Sequence, residues 1–442
     1  MSNPLVDSKL RRILYRSMTR NGLRLPLPVA FQIFQMVVKI VSLGKVRSVR
    51  ALEREYLNYY REGLTSDQSV WTSIFVPTEI LYAFGLPPLC LEGLSALFAS
   101  MGIAKNFLGR HGTHFVPNTM CNFHRLSIDI ASSGVLPKPR FVLSSSALCD
   151  GNIKTFRHLA EKIGAPFFFL DIPQNDDQAG VAYLVSQLQE LIGHIEMLTG
   201  KPLDKARLDA AARNIVVTGQ LMETIYRLRC RLQRNVYYGH QMINFMLPLA
   251  AMSGSERLIK ICRTIIADLE DGRVYNRAFP SEISPETIKI IWAHIAPVFQ
   301  YNDVWPFIDD GVRSKVYLEE CTGYIEGDIK SYDALEIIAR RLINTPGNGP
   351  LERRLNSLEK IYADTGADGI VHFSHWGCHQ ASGVTPLLQK HFSERGIPFL
   401  NVNGDCVDAR SCGLEQHKTR YSAFLESLAA KKKANQNRSK SL

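Results

Sequence analysis

The sequence lacks the features that mark membrane-spanning and secreted proteins. Its 442 residues contain no uninterrupted run of about 18 apolar residues, the minimum for a membrane-spanning helix. The N-terminal segment lacks the apolar core and the small-residue cleavage site of a signal peptide. We therefore expect no membrane span and predict a cytoplasmic protein.

The cysteine pattern excludes several further classes. The nine cysteines include no Cys-x-x-Cys pair, which excludes zinc ribbons, thioredoxin-like redox sites and the common ferredoxin spacing. An odd number of cysteines without a secretion signal argues against a disulfide framework. Any metal site must therefore gather cysteines from distant parts of the chain.

Acidic residues are scarce only at the two ends of the chain. The net charge is +10, but residues 1–50 contribute +9 and residues 431–442 contribute +5, so residues 51–430 carry −4. A basic end can contact RNA, a membrane surface or an acidic partner subunit, but we favour a solvated helix and a frayed tail. Because the body is mildly acidic, no nucleic-acid partner is predicted.

The length predicts two or three domains with well-buried cores. From Ile74 onward, short apolar runs alternate with longer amphipathic ones, which is typical of βαβ units around a parallel sheet. We predict an α/β protein with two duplicated, doubly wound domains of the flavodoxin or Rossmann type. The predicted parts are a helical basic N-terminal arm packed on the body (1–70), a first α/β domain (71–200), a helical insert (201–285), a second α/β domain (286–430) and a basic disordered tail (431–442).

The duplication is visible as the same order of elements in two segments. The first contains a strand at 140–143, a helix at 152–163 closed by Gly164, and a strand at 165–171; the second contains a strand at 369–373, a helix at 384–395 closed by Gly396, and a strand at 397–402. Helical periodicity fills residues 178–270 between them. A last helix is predicted over 419–431, with Thr419 as its N-cap.

Two cysteines occupy matching places in the two segments. Cys149 and Cys378 each follow a strand at the point where a helix begins, and ligands of open α/β sheets bind at that edge. We expect both to face one cleft, with a helix N-terminus lowering the pKa of each thiol. Cys121, in a proline-containing loop ahead of a helix, is the natural third thiolate. The remaining cysteines are predicted to be core residues (Cys90, Cys230, Cys262, Cys321) or are left unassigned (Cys406, Cys412).

Histidines near Cys378 offer an alternative metal site. His372, His375 and His379 could bind zinc together with Cys378. The Trp376-Gly377 turn makes a single helical face for these side chains unfavourable, so zinc is the less favoured prediction.

Five motifs occur along the chain: VPTEILYAFG at 76–85, CNFHR at 121–125, Ser-Ser-x-x-Cys-Asp ending at Asp150, WGCHQ at 376–380 and QHKTRYSAFLE at 416–426. Taken in this order, they resemble those of the 2-hydroxyacyl-CoA dehydratase and benzoyl-CoA reductase family, as in the 2-hydroxyglutaryl-CoA dehydratase D-component. The resemblance runs from about residue 50 to 430.

The resemblance implies a [4Fe–4S] cluster held by Cys121, Cys149 and Cys378, with the fourth iron open to another ligand. It also implies an acyl-CoA thioester substrate, a related second subunit and an ATP-dependent iron–sulfur activator that delivers single electrons. One electron added to the thioester carbonyl would give a ketyl radical anion that expels the adjacent hydroxide. In a benzoyl-CoA reductase, electrons would instead enter an aromatic ring. Of these two reactions, dehydration and ring reduction, we favour dehydration.

Other residues in these motifs have two interpretations. Glu79, His375 and Gln380 are candidate catalytic residues, although a carboxylate at a helix start, such as Glu79, is more often a cap or an ion-pair partner. Arg420 could contact CoA phosphates or pair across the final helix. The alternative to an enzyme is a scaffold or assembly partner without catalytic activity. Such a protein would have no physical need of three thiols in a cleft, so we favour the enzyme.

The N-terminal arm is predicted to contribute to a heterodimer, or to a higher oligomer of such pairs. It combines its positive charge with apolar positions that include Leu14, Phe31, Phe34 and Val37. This composition is typical of a segment that docks on another protein surface.

Overall fold

The computed structural model describes residues 27–41, 45–112, 115–272, 282–299, 304–323 and 333–440. Two four-stranded parallel sheets organise these residues. The first sheet contains β1 (Val70–Thr72), β2 (Pro88–Cys90), β3 (Val142–Ser145) and β4 (Phe167–Leu170), in the order β2-β1-β3-β4. The second contains β5 (Ile288–Ala293), β6 (Ser314–Glu319), β7 (Gly369–His375) and β8 (Phe399–Gly404), in the order β6-β5-β7-β8.

The two sheets have the same topology. In each, the second strand in sequence lies at one edge, the first strand lies beside it, and the third and fourth strands follow on the other side. All pairings are parallel, with registers such as Trp71 beside Val142 and Ile290 beside Gly369. The predicted α/β fold with two duplicated domains is confirmed.

Helices connect and flank the strands. Within the described residues, the α-helices are α1 (Leu27–Val41), α2 (Arg47–Thr65), α3 (Thr78–Ala83), α4 (Leu91–Ser100), α5 (Asn122–Ser132), α6 (Gly151–Ile163), α7 (Gln178–Thr199), α8 (Lys205–Cys230), α9 (His240–Ile243), α10 (Met246–Ala251), α11 (Glu256–Asp271), α12 (Glu320–Gly323), α13 (Ala334–Ile343), α14 (Leu351–Thr365), α15 (His379–Ser382), α16 (Thr385–Glu394) and α17 (Leu414–Lys440). The predicted helical region over 178–270 corresponds to α7 through α11. No helix of the described ranges is long and apolar enough to cross a membrane.

The apolar runs form strands because parallel sheets bury both of their faces. Every residue of β1, β3 and β7 is buried. Gly164 ends α6 in the left-handed conformation at φ +62°, as predicted from its place after the last apolar residue of the helix. Gly396 follows the end of α16 with φ +63°.

Of the predicted arm (1–70), helices α1 and α2 pack on the body, and residues 1–26 and 42–44 lie outside the described part of the chain. Phe31 of α1 is 2% exposed and belongs to the main hydrophobic core, and Phe34 packs against that core. Leu14 and the side chain of Val37 lie outside the described part of the chain. The opposite face of α1 exposes four large apolar side chains at helical spacing: Val29, Ile33, Met36 and Ile40.

The C-terminal prediction is wrong in two respects. Helix α17 begins at Leu414, so Thr419 is not its N-cap; the Thr419 hydroxyl donates within the helix to the carbonyl of Glu415. The helix also continues through Lys440, so residues 431–440 are not a disordered tail. The segment contains neither glycine nor proline, and Lys432 is anchored by an ion pair with Asp368 (3.0 Å).

Candidate functional site

A cavity of about 860 Å³ lies at the carboxyl ends of strands from both sheets. Strands β1 and β3, and likewise β5 and β7, are the neighbours at which the strand order reverses, where open α/β sheets bind ligands. Residues at the ends of these four strands or just after them line the cavity: Ile74, Phe75, Leu148, Cys149, His294, Ile295, His375 and Cys378. The predicted cleft is therefore present, and both sheets contribute to it.

Two cavity residues have an unusual backbone. Leu148 (φ +62°) and His294 (φ +69°) are the non-glycine residues with positive φ in the described ranges, and each follows a central strand of its own sheet. A left-handed conformation costs a residue with a Cβ about 1–2 kcal/mol. Such strain persists where the surrounding structure fixes it, commonly at binding and catalytic sites.

The three predicted cysteines all line this cavity. Cys121 and Cys378 are the N-caps of α5 and α15, and Cys149 lies two residues before α6. Each thiol accepts hydrogen bonds from backbone N–H groups of the helix start that follows it. Three separate loops thus present a thiol and backbone donors to one space.

Gly377 allows two of these loops to touch. It has φ +75°, and a Cβ placed on it would lie 2.4 Å from the backbone nitrogen of Cys121 and 2.6 Å from the carbonyl oxygen of Thr119. Only glycine fits this contact. Asn122 adds a second link between the domains, since its side-chain amide donates to the carboxylate of Asp405 at 2.5 Å.

The pKa values of the three thiols are raised, whereas the sequence predicts that they are lowered. Burial raises the pKa of all three, and neighbouring thiols raise it further for Cys121 and Cys149, the latter to about 12. The helix N–H groups act in the predicted direction, but burial outweighs them, so the prediction of lowered pKa values for these thiols is wrong. Binding a cation would release protons from these thiols.

Two histidines contact two of the thiols. The Nε2 atom of His375 lies 3.2 Å from the Cys121 Sγ, and the Nε2 atom of His124 lies 3.1 Å from the Cys149 Sγ. Burial lowers the pKa of both, that of His124 to about 4, so both rings are neutral at pH 7. The Phe123 and His375 rings pack at an interplanar angle of 77°, with ring centroids 5.4 Å apart.

A buried ion pair forms another wall of the cavity. Arg354 donates two hydrogen bonds to Glu320, of 2.6 and 2.9 Å. Its positive charge favours the thiolate of Cys378 and so partly offsets the rise in the pKa of that thiol that burial causes. Cys321 also lines the cavity, so its assignment as a core residue is wrong. Glu92 lies at the cavity as well, and burial raises its pKa to about 8.

The other candidate catalytic residues are held by neighbours. The Glu79 carboxylate is fully buried and pairs with Arg341 (2.8 Å), itself a cavity residue. This is the ion-pair role that the sequence left open for Glu79. Gln380 lines the cavity beside Cys378, and its amide donates to the carbonyl of Gly347 at 2.7 Å.

The zinc alternative finds no support in the geometry. His372 is fully buried with its Nδ1 atom 2.8 Å from the Oδ1 atom of Asn401, whereas the side chain of His379 is 88% exposed and faces Asp150. No three His, Cys, Asp or Glu side chains in the described ranges are grouped to hold a single metal ion.

Among the remaining cysteines, Cys90 and Cys262 are buried, as predicted, and Cys230 is partly exposed. The two unassigned cysteines are buried, with the Cys412 Sγ 3.7 Å from His417 Nδ1.

The donor set fits an iron–sulfur cluster better than a single ion. Tetrahedral zinc brings four donors within about 2.0–2.3 Å of one centre. A cluster binds each thiolate through a different iron and is stabilised by hydrogen bonds to its sulfurs. Three thiols from separate loops, each with backbone N–H donors, meet that requirement.

The family model for "2-hydroxyglutaryl-CoA dehydratase, D-component" matches residues 73–428, which include every strand of both sheets except β1, and all three cysteines. The chain belongs to this family. The resemblance found in its motifs is thereby confirmed.

Two of the named relatives span most of the chain, and a third spans about a third of it. An (R)-phenyllactyl-CoA dehydratase alpha subunit of Clostridium sporogenes is 22% identical over 383 residues, covering 82% of this chain and 90% of the relative. An (R)-2-hydroxyisocaproyl-CoA dehydratase alpha subunit of Clostridioides difficile is 20% identical over 405 residues, covering 87% and 96%. A benzoyl-CoA reductase subunit of Thauera aromatica is 26% identical over 166 residues, covering 36% and 39%.

Sequence reasoning missed several residues of the site. Arg354, Glu320 and Arg341 occur in charged segments that look like solvated helix faces, and nothing local indicates their burial. His124 stands in a motif beside Cys121, but its contact is with Cys149, 25 residues later. The chain brings these groups together only through the packing of the two domains.

Proposed function

We propose that this chain is the [4Fe–4S]-containing subunit of a radical 2-hydroxyacyl-CoA dehydratase, acting through a ketyl radical of the substrate, with Cys121, Cys149 and Cys378 as cluster ligands. The observation that carries the proposal is the convergence of these three thiols on one 860 Å³ cavity at the strand-order reversals of both sheets. The family match and the names of the relatives support the same activity.

Bound to these thiolates, a [4Fe–4S] cluster supplies single-electron transfer and a Lewis-acidic iron for the thioester carbonyl. The chain's own groups prepare the surroundings. The backbone N–H groups of three helix starts stabilise the negative charge on the sulfurs. Glu92, whose raised pKa keeps its carboxyl largely protonated at pH 7, holds a proton at the cavity wall for the departing hydroxide.

The cavity wall that α8, α10 and α11 form is largely apolar. Its aliphatic side chains are Ile215, Val216, Met222, Leu247, Leu249 and Leu258, and Gln220, Glu223 and Arg227 of α8 also line the cavity. Aliphatic side chains offer no hydrogen-bond partners to a polar acyl chain. We therefore favour 2-hydroxyacyl groups with an aliphatic or aromatic end over those with a second carboxylate.

The proposal includes two protein partners. The two dehydratase relatives are alpha subunits, so we propose a related second subunit, and we propose that an ATP-dependent iron–sulfur activator delivers the single electrons. The exposed apolar face of α1 is a candidate contact for the second subunit.

Aromatic acyl-CoA reduction is a second candidate. The apolar wall would also accept an aromatic ring, and a benzoyl-CoA reductase subunit is among the relatives, over about a third of this chain. The two candidates differ in product, because dehydration yields an enoyl-CoA without net reduction whereas ring reduction consumes electrons.

Anaerobic turnover by the complete complex tests the proposal. The chain, its second subunit and the activator are incubated with ATP, a reductant and one thioester at a time: phenyllactyl-CoA, 2-hydroxyglutaryl-CoA or benzoyl-CoA. We expect dehydration of phenyllactyl-CoA, loss of activity in Cys378→Ala and retention in Cys230→Ala. Turnover of benzoyl-CoA alone would establish the second candidate, and turnover of none would contradict both.

A further inference from the structure

We infer that His375 and His124 each donate a hydrogen bond to a cluster-ligating sulfur and thereby raise the reduction potential of the bound cluster. The inference rests on the proposed function, since it assigns Cys121 and Cys149 as ligands. It concerns positioning residues rather than groups that react with substrate.

The tautomer of His375 follows from its surroundings. Its Nδ1 atom accepts a hydrogen bond from the backbone N–H of Cys406 at 3.0 Å, so this nitrogen carries a lone pair rather than a proton. Because Nδ1 carries no proton, the N–H of the imidazole ring is on Nε2, which lies 3.2 Å from the Cys121 Sγ. A thiolate sulfur only accepts hydrogen bonds, so His375 is the donor in this contact.

His375 is fixed in this orientation. It is 1% exposed, it lies at the end of β7, and the Phe123 ring packs against it. With both nitrogens engaged, the ring has no free N–H to offer a substrate. This geometry favours a supporting role for His375 over the catalytic role considered from the sequence.

His124 makes the equivalent contact in the first domain. Its Nε2 atom lies 3.1 Å from the Cys149 Sγ, and its Nδ1 atom is buried with no hydrogen-bond partner among the described residues. When Cys149 is a thiolate, the proton must be on Nε2, because a lone pair facing a thiolate would be repelled. Gly151 leaves room for the ring, since a Cβ there would lie 3.0 Å from His124 Nε2.

Hydrogen bonds to cluster sulfurs favour the reduced state. Reduction adds negative charge that is shared with the ligating sulfurs, and an N–H donor stabilises that charge. Removing one donor should therefore lower the potential while leaving the ligands in place. Each of the two domains supplies one such donor.

The test compares leucine and glutamine variants of the full chain. Leucine at position 375 or 124 removes the N–H, whereas glutamine can place an amide N–H close to the position of Nε2. His372→Leu is the matched control, because His372 is a buried histidine of the same strand that bonds Asn401 rather than a thiol. Iron content is measured first, and anaerobic redox titration followed by electron paramagnetic resonance then gives the reduced fraction.

We expect His375→Leu and His124→Leu to lower the ratio of reduced to oxidised cluster about tenfold at a fixed potential, equivalent to about 59 mV for one electron. The glutamine variants should recover most of the lost reduced fraction, and the reduced fraction of His372→Leu should match that of the wild type. A leucine variant with full iron and the control's potential would overturn the inference. Absence of iron from the wild type would instead overturn the proposed function.

A variant that loses iron is replaced by a gentler change. Gly151→Ala presses a methyl group against His124 Nε2 without removing the histidine. At full iron content, a reduced fraction at least about threefold lower than in the wild type supports the inference. An unchanged reduced fraction overturns it for His124.

Discussion

Gly377→Ala tests whether the loops of Cys121 and Cys378 meet as described. Gly377 is held at φ +75°, and its missing side chain faces backbone atoms of residues 119–121 rather than solvent. An added methyl group would need to occupy space 2.4 Å from the Cys121 nitrogen. A backbone neighbour cannot rotate away, so one loop must shift.

Two contributions set the expected magnitude. Alanine in the left-handed conformation costs about 1–2 kcal/mol, and overpacking against a fixed neighbour costs about 1–3 kcal/mol. The free energy of unfolding should therefore fall by about 2–5 kcal/mol in total. Because the displaced loop carries Cys121, the cluster content should fall as well.

Gly396→Ala is the matched control. Gly396 has φ +63°, but no atom of the described residues lies within 4 Å of the position of its Cβ, so only the conformational cost applies. Denaturant unfolding and iron analysis of both variants separate strain from contact. Equal destabilisation and equal iron content in the two variants would refute the loop contact.

Two other predictions concern stability and assembly. Arg229→Met should lower the free energy of unfolding by about 3–5 kcal/mol, because it leaves the buried Glu319 carboxylate without its two hydrogen bonds of 2.6 and 2.7 Å. Arg157→Met, which removes an exposed ion pair with Glu161, should change it by less than about 1 kcal/mol, and a comparable loss in both would contradict this reasoning. The double variant Met36→Glu with Ile40→Glu should weaken co-purification with the second subunit at unchanged iron content, because both side chains are exposed on α1. Gln32→Glu, an exposed position on the same helix, is the control. Full co-purification of the double variant would exclude this face from the interface.

Much of the fold is predictable from local signals. Helices α6 and α16 and the strands on either side of them follow from apolar runs and from Gly164 and Gly396. The matching order of these elements predicts the duplication, and the general rule for parallel sheets then predicts where Cys149 and Cys378 face. These inferences need only neighbours in sequence.

The rest depends on packing between distant segments. The pairing of Arg354 with Glu320, and the approach of His375 to Cys121 across 254 positions, leave no periodic pattern. The thiol pKa values depend on the depth of burial, which the sequence does not report. Helix α17 extends further than predicted because its charged end looks like a tail, although the composition of that end favours a helix.

Iron and acid-labile sulfide in anaerobically purified protein test the central claim most directly. The account predicts about four irons with matching sulfide per chain, their loss in Cys121→Ala, Cys149→Ala and Cys378→Ala, and their retention in Cys230→Ala. Full iron in Cys149→Ala, or no iron in the wild type, would contradict it.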